Sequence, residues 1–328
     1  MPSEARESKI ASTRIAILIP CHNEELTVAE VVRGFRAELP EARVLVFDNN
    51  STDRTVERAL QAGATILSEP RQGKGFVVQT MFRRVDADVY VMVDGDGTYP
   101  AEEVHRLIAP VLNGEADMVV GSRLHSETRS EFKSLNRWAN RLVLAILNSM
   151  FRVKLTDILS GYRTFNRRLV KSLPVFGGGF EIETELTIKA VARGFRIIEV
   201  PTDLKTRPEG SYSKVRFFRD GFIILNTILA LLRDYKPLTF FGTAGLLLLL
   251  IAFVPGLVVT LDLFKRGAIA RPLITVMAVC LFLCGLLSLA VGLVLHSIAR
   301  RSQEFDYQIQ VLGDEFRAQR FPAETCGD

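Results

Sequence analysis

The sequence predicts an α/β fold built on a mostly parallel sheet, followed by juxtamembrane amphipathic helices and a two-helix apolar hairpin. Three observations predict it. Short apolar runs rich in Ile and Val alternate with helical stretches through the N-terminal part of the chain, and continuous apolar strands between helices mark a parallel sheet covered on both faces. Polar, oxygen-rich turns follow several of those strands, at the edge where such sheets bind ligands. Two later runs, 238–261 and 273–298, contain no Asp, Glu, Lys or Arg.

Residues 1–12 are polar and charged, so a flexible N-terminus without a signal peptide is expected. The folded domain is read as 13–206. Its strands are 14–20, 43–48, 64–67, 88–94 and 117–121, and its helices 24–39, 53–61, 75–84 and 102–112. The first strand ends in Pro20, and each helical stretch carries apolar residues at helical spacing. Residues 207–236 form a loop and juxtamembrane segment, 237–298 a transmembrane hairpin, and 299–328 a polar tail. About 20 helical residues cross a bilayer core, so both apolar runs are long enough. A helix apolar on every face over that length is rarely a globular core helix.

With no signal peptide expected, these spans predict a protein of the plasma (inner) membrane with the large domain and the tail on the cytosolic side. Flanking charge is a weak guide. Arg219, Arg233, Lys236, Arg300 and Arg301 border the spans, yet the connecting loop also holds Lys265, Arg266 and Arg271. The net charge of +4 over 328 residues is too small and dispersed for a nucleic-acid partner. Cys21, Cys280, Cys284 and Cys326 lack metal-ligand spacing and fit a reducing compartment.

Three turns carry the chemistry. Pro20-Cys-His-Asn-Glu-Glu25 follows the first strand, Asp48-Asn-Asn-Ser-Thr-Asp-Arg-Thr55 the second, and Asp94-Gly-Asp-Gly-Thr-Tyr-Pro100 the fourth. Gly95 between Asp94 and Asp96 lets two carboxylates converge on one hard cation, Mg²⁺ or Mn²⁺, which shares its oxygen ligands with substrate phosphates.

Together with 157–163 and 207–214, these motifs resemble family 2 glycosyltransferases of the GT-A fold, close to the dolichyl- and polyprenyl-phosphate sugar synthases. By motif the resemblance covers about residues 14–220. The two apolar runs resemble the bacterial polyprenyl-phosphate glucosyltransferase branch. The resemblance implies an inverting, metal-dependent transfer of a hexose from a nucleotide-sugar, UDP-linked by preference, to a polyprenyl phosphate. Pro20, Asn23, Glu24 and Asp48 would line the base and ribose pocket. Asn49 stands where the family often has a second aspartate, which leaves the base, uridine or guanosine, open. Asp94, Gly95 and Asp96 would hold donor and metal, with Asp96 the direct ligand. Lys74, in Arg71-Gln-Gly-Lys-Gly75, reads either as part of a glycine turn with solvated charge or as a donor-site cation.

Asp157 occupies the position of the family's proposed catalytic carboxylate. The acceptor phosphate has a second pKa of about 6 by analogy with phosphorylated side chains, so Asp157 reads equally as base, orienting group or aid to the metal. Arg123 and Arg163 would grip the acceptor phosphate, because a guanidinium fork matches it, and Glu183 would face the sugar. Arg207, Ser211, Ser213 and Lys214 read as a diphosphate-binding lid, or as a basic juxtamembrane stretch.

Residues 131–153 and 212–235 mix aromatic and basic residues at helical spacing, as interfacial helices do; packing on the domain core fits almost as well. The implied partners are a nucleotide-sugar, a polyprenyl-phosphate lipid and the membrane, with oligomeric state, a homo-oligomer included, left open. Three rival readings are weaker. A polysaccharide synthase would carry Gln-x-x-Arg-Trp, but Ser134 precedes Arg137-Trp138. A nucleotidyltransferase would show a glycine-rich N-terminal signature. A catalytically inactive GT-A membrane scaffold need not keep Asp94, Asp96, Asp157, Arg207 and Lys214 together.

Overall fold

The computed structural model describes residues 13–123, 144–145, 148–149, 153–175, 182–205, 226, 229–230, 232–267 and 271–320. The chain divides into two compact units, Met1–Thr227 and Ile228–Asp328.

The first unit is a seven-stranded sheet. Its strands are β1 (Ile15–Cys21), β2 (Arg43–Asp48), β3 (Thr65–Ser68), β4 (Val89–Met92), β5 (Met118–Ser122), β6 (Arg163–Asn166) and β7 (Ile197–Pro201), in the order β3-β2-β1-β4-β6-β5-β7. β6 runs antiparallel to both β4 and β5, while the other pairings are parallel. The helices are α1 (Val28–Glu38), α2 (Thr55–Gln61), α3 (Lys74–Arg84), α4 (Val104–Leu112), α5 (Arg167–Ser172) and α6 (Ile182–Ala192).

Strand periodicity explains the layering. Ile15, Ile17 and Ile19 of β1 join one core cluster with Val28, Val32 and Phe35 of α1 and Leu107 and Ile108 of α4. Ala16 and Leu18, on the opposite face, join a second cluster with Val77, Val78 and Met81 of α3 and Leu186 of α6. Alternate residues of a strand point to opposite faces; here both faces are apolar because both are covered.

β6 and β7 extend the sheet beyond the five strands expected. β6 reads Arg-Thr-Phe-Asn, four residues of mixed polarity that start at the last residue of the 157–163 motif, and so carries no strand signal. Its position between β4 and β5 moves the segment before it, 157–162, to the ligand-binding edge.

The second unit contains α7 (Pro237–Arg266) and α8 (Pro272–Arg320). Pro237 starts α7, where its missing N–H costs nothing, and Gly267 ends it with φ +67°. Gly245 and Gly285 let the two helices touch: a Cβ on Gly245 would lie 2.8 Å from the Gly285 carbonyl oxygen. The stretches Pro237–Lys265 and Pro272–Ser302 are long and apolar enough to cross a membrane, and outward residues such as Leu250 and Phe253 are 62% and 67% exposed. α8 runs without a break to Arg320, so much of the expected polar tail is helical.

Candidate active site

The turns after β1 and β2 are stitched into one surface. Asn23 adopts φ +54°, a left-handed conformation that Asn tolerates better than most residues. Its backbone N–H donates to Ser51 Oγ at 3.0 Å, and its Oδ1 accepts from the Thr52 N–H at 2.8 Å. Glu24 N–H donates to Thr55 Oγ1 at 2.8 Å and Glu25 N–H to Asp53 Oδ2 at 3.1 Å. Burial raises the pKa of Asp53, but the hydrogen bonds from Thr55 and Glu25 outweigh it and leave the carboxyl below its ordinary range. Pro20 and the buried Asp48 lie at the ends of neighbouring strands, with Asp48 Oδ1 accepting from Ser51 N–H. The four residues expected to line a nucleotide pocket are thus brought to one edge.

Asn49 has a definite structural place. Buried at 4% exposure, its Nδ2 donates to the carbonyls of Glu69 and Arg71, both at 2.8 Å, and its Oδ1 accepts from Gly73 N–H at 2.7 Å. The amide is a bracket for the loop before α3. A carboxylate could accept from Gly73 but would face two carbonyl oxygens without a proton to offer, so Asn in place of Asp suits this loop. Glu69, at the same loop, accepts from Arg71 and Thr80; the Arg71 hydrogen bonds dominate over burial and bring its pKa to about 2. Asn49→Asp is expected to cost about 1–3 kcal/mol, the penalty for orphaned buried acceptors, read as a lowered thermal midpoint of the full chain in detergent.

The bracketed loop delivers Lys74, the first residue of α3. Its Nζ lies 2.5 Å from Asp94 Oδ1 and 2.5 Å from Glu183 Oε1 of α6. Burial disfavours the ammonium, yet Asp94 and Glu183 outweigh that and raise its pKa. Lys74 is therefore no solvated charge on a glycine turn; it is clamped between two carboxylates. Glu183, expected to face a sugar, is buried and turned onto Lys74.

Two glycines shape the acidic turn. A Cβ on Gly95 would lie 2.6 Å from Cys21 Sγ, and one on Gly161 would lie 2.3 Å from Asp94 Oδ2. Gly161 thus lets the 157–162 segment close against the Asp94 carboxylate. Asp96 Oδ1 accepts from the N–H and Oγ1 of Thr98 at 3.1 and 2.7 Å, closing its own turn.

Across that contact sits the second half of the site. Arg123, directly after β5, grips Asp157 through Nε to Oδ2 at 2.7 Å and Nη2 to Oδ1 at 3.0 Å. Burial raises the Asp157 pKa, but Arg123 draws it below the ordinary carboxylate range. Asp157 and Thr156 N–H groups both donate to Glu199 of β7, at 2.9 and 2.8 Å. Tyr99 ties the halves together: its hydroxyl accepts from Gly161 N–H at 3.0 Å and lies 3.3 Å from Ser160 Oγ. Tyr99, Gly161 and Glu199 were not singled out from the sequence. Tyr99 and Gly161 each gave a signal by lying inside a motif, the acidic turn and 157–163, whereas Glu199 gave none.

Arg163 corrects an expectation. It is fully buried, and it donates to the carbonyls of Ser160 and Ile158 at 2.7 and 2.6 Å and to Thr187 Oγ1 at 2.8 Å. Burial lowers its pKa. Its guanidinium braces the Asp157 segment from behind instead of meeting an acceptor. Arg207, Ser211, Ser213 and Lys214 lie outside the described residues, as do most of 131–153 and 212–235.

Asp94 and Asp96 are hard oxygen donors, and among the described residues no cluster of three or more His, Cys, Asp or Glu forms a cage. Such a pair fits Mg²⁺ or Mn²⁺, which complete their coordination with substrate phosphates and water.

Comparison with known proteins follows the same lines. The sequence model described as Glycosyl transferase family 2 matches residues 16–173. The glycosyltransferase AglJ of Haloferax volcanii is 35% identical over 232 residues, 70% of this chain and 76% of that protein. A dolichyl-phosphate hexose transferase of the same organism is 26% identical over 193 residues, 59% of this chain and 83% of its own. Among solved structures, glucosyl-3-phosphoglycerate synthase of Mycobacterium tuberculosis, in complex with Mn²⁺, UDP-glucose and phosphoglyceric acid, superposes with a TM-score of 0.59 at 24% identity, covering 70% of this chain and 82% of that one. That likeness concerns the fold, and it bears out the GT-A class with its mixed, mostly parallel sheet.

Proposed function

The chain belongs to glycosyltransferase family 2, and from that premise we propose that it transfers a hexose from a UDP-sugar to a polyprenyl phosphate. The observation that carries this reading is the facing of two chemically distinct halves across Tyr99. One half is the Asp94–Asp96 turn of a nucleotide-sugar site. The other is a half-buried Arg123 held by Asp157, a guanidinium suited to a phosphate. The dolichyl-phosphate hexose transferase relative and the two apolar helices support a lipid acceptor. The Mn²⁺ and UDP-glucose bound by the structural relative support the donor class and the metal.

In this reading the acceptor phosphate oxygen forms a bond to the anomeric carbon from one face. The bond from that carbon to the diphosphate oxygen breaks on the other, and its electron pair leaves with the nucleoside diphosphate. No proton need be removed, because a phosphate monoester with a second pKa of about 6 is largely dianionic at neutral pH. Arg123 holds the attacking phosphate, and Asp157 fixes the guanidinium plane. Pro20, Asn23, Glu24 and Asp48 shape the nucleotide pocket. Asp96, with Asp94 beside it in the same turn, would hold a divalent ion, which when bound supplies positive charge for the leaving diphosphate. Arg207, Ser211, Ser213 and Lys214 supply further donors to the diphosphate. Residues 13–206 form the catalytic domain, on the cytosolic face of the membrane that 237–298 crosses.

The test is transfer by the full chain in detergent, with Mn²⁺ or Mg²⁺, a short polyprenyl phosphate and a panel of labelled nucleotide-sugars. Lipid-extractable label, abolished by EDTA, is the expected result. Label growing into a water-soluble polymer would favour a polysaccharide synthase, and folded protein inert with every donor would favour a scaffold.

A further inference from the structure

The Lys74 ammonium already occupies one oxygen of Asp94, a carboxylate of the acidic turn. It comes from the first residue of α3 and reaches Asp94 Oδ1 at 2.5 Å, while Glu183 of α6 holds it from the other side at 2.5 Å. The remaining oxygen of Asp94 faces Gly161, where not even a Cβ would fit. Asp94 is thus packed on one side and charge-paired on the other. Lys74 is itself 13% exposed and Glu183 6%, so water screens this cluster little.

We propose that Lys74 is a built-in counter-cation that withholds Asp94 from the divalent ion, with Glu183 as the positioning residue that keeps Lys74 in place. The ion then rests on Asp96 and on oxygens brought by the nucleotide diphosphate, so that it binds tightly only together with the nucleotide. The physical reason is charge count. Affinity at oxygen sites rises with the number of anionic ligands, and an ammonium on Asp94 both removes one and repels the incoming ion. The loop that carries Lys74 is fixed by the Asn49 bracket, so the arrangement is built in before any ligand arrives. This inference rests on the reading above that a divalent ion accompanies the nucleotide-sugar.

The experiment measures Mn²⁺ affinity of the full chain in detergent by the paramagnetic resonance signal of free Mn²⁺, with and without UDP. Lys74→Met leaves Glu183 buried without its partner and risks misfolding. The informative variant is therefore Lys74→Met/Glu183→Gln, which removes one positive and one negative charge together. It is expected to bind Mn²⁺ without nucleotide roughly tenfold or more tightly than the wild type, whereas Lys74→Arg stays as weak as the wild type. Nucleotide-free Mn²⁺ affinity unchanged in the double variant, or raised equally in Lys74→Arg, would overturn the proposal. The nucleotide-free comparison decides it alone. Failure of UDP to bind the wild type in the presence of Mn²⁺ would count instead against the transferase reading.

Discussion

Asp96→Ala is expected to lower hexose transfer by roughly 10²–10³ or more, the loss seen when one preorganised electrostatic contact to the leaving group is removed. Asp96 lies half-buried in the turn after β4 and contributes little to the core; within that turn it accepts from Thr98 at 2.7 and 3.1 Å. Losing that turn costs about 1 kcal/mol, too little to unfold a domain whose sheet is covered on both faces. Asp96→Asn separates the two effects. The asparagine carbonyl can still accept from Thr98, but the charge is gone, so stability should return while turnover does not. The measurements are transfer rate at saturating donor and thermal unfolding of the same preparations. Turnover within a few-fold of wild type in Asp96→Ala would remove Asp96 from the site. Recovery in Asp96→Asn would reduce its part to shaping the turn.

The fold was legible where apolar periodicity was unbroken. β1, β2, β4 and β5 are runs such as Ile-Ala-Ile-Leu-Ile, and each lies within about a residue or two of where the pattern places it. β6 was illegible for a physical reason: its strand conformation is imposed by antiparallel neighbours on both sides, not by its own residues. The site divides in the same way. Motif spacing, together with the family resemblance, singled out Asp94, Asp96, Arg123 and Asp157 as candidates, the first three in the turns after β4 and β5. It could not say which charges meet each other. Arg163 and Arg123 look alike in sequence, yet one is a buried brace and the other a half-buried arm. Lys74 and Glu183 are more than one hundred residues apart in the chain, and only the stacking of α3 and α6 on the same face of the sheet joins them.

Asp157 and Arg123 are expected to behave as one unit. Asp157→Ala and Arg123→Ala should each lower kcat/KM for the polyprenyl phosphate by roughly 10²-fold, and the double variant should lose little more than either alone, as residues acting together do. The bidentate geometry is the reason. Both Asp157 oxygens are engaged by Arg123 at 2.7 and 3.0 Å, and its backbone N–H is anchored on Glu199, so the carboxylate serves as a seat for the guanidinium. Because Arg123 keeps the Asp157 pKa below the ordinary range, Asp157 stays ionised throughout neutral and mildly acidic pH, and its own titration cannot shape the rate there. The acid limb should instead follow the acceptor: as pH falls through about 6 the phosphate gains a proton, its oxygen becomes a weaker nucleophile, and the rate drops. That limb should persist in Asp157→Asn at reduced amplitude. Arg123→Ala alone also leaves Asp157 buried and unpaired, a change that costs several kcal/mol of stability, so thermal unfolding must accompany its kinetics, and Arg123→Ala/Asp157→Ala should recover much of that stability. Fully multiplicative losses in the double variant, or disappearance of the acid limb in Asp157→Asn, would return Asp157 to the role of general base.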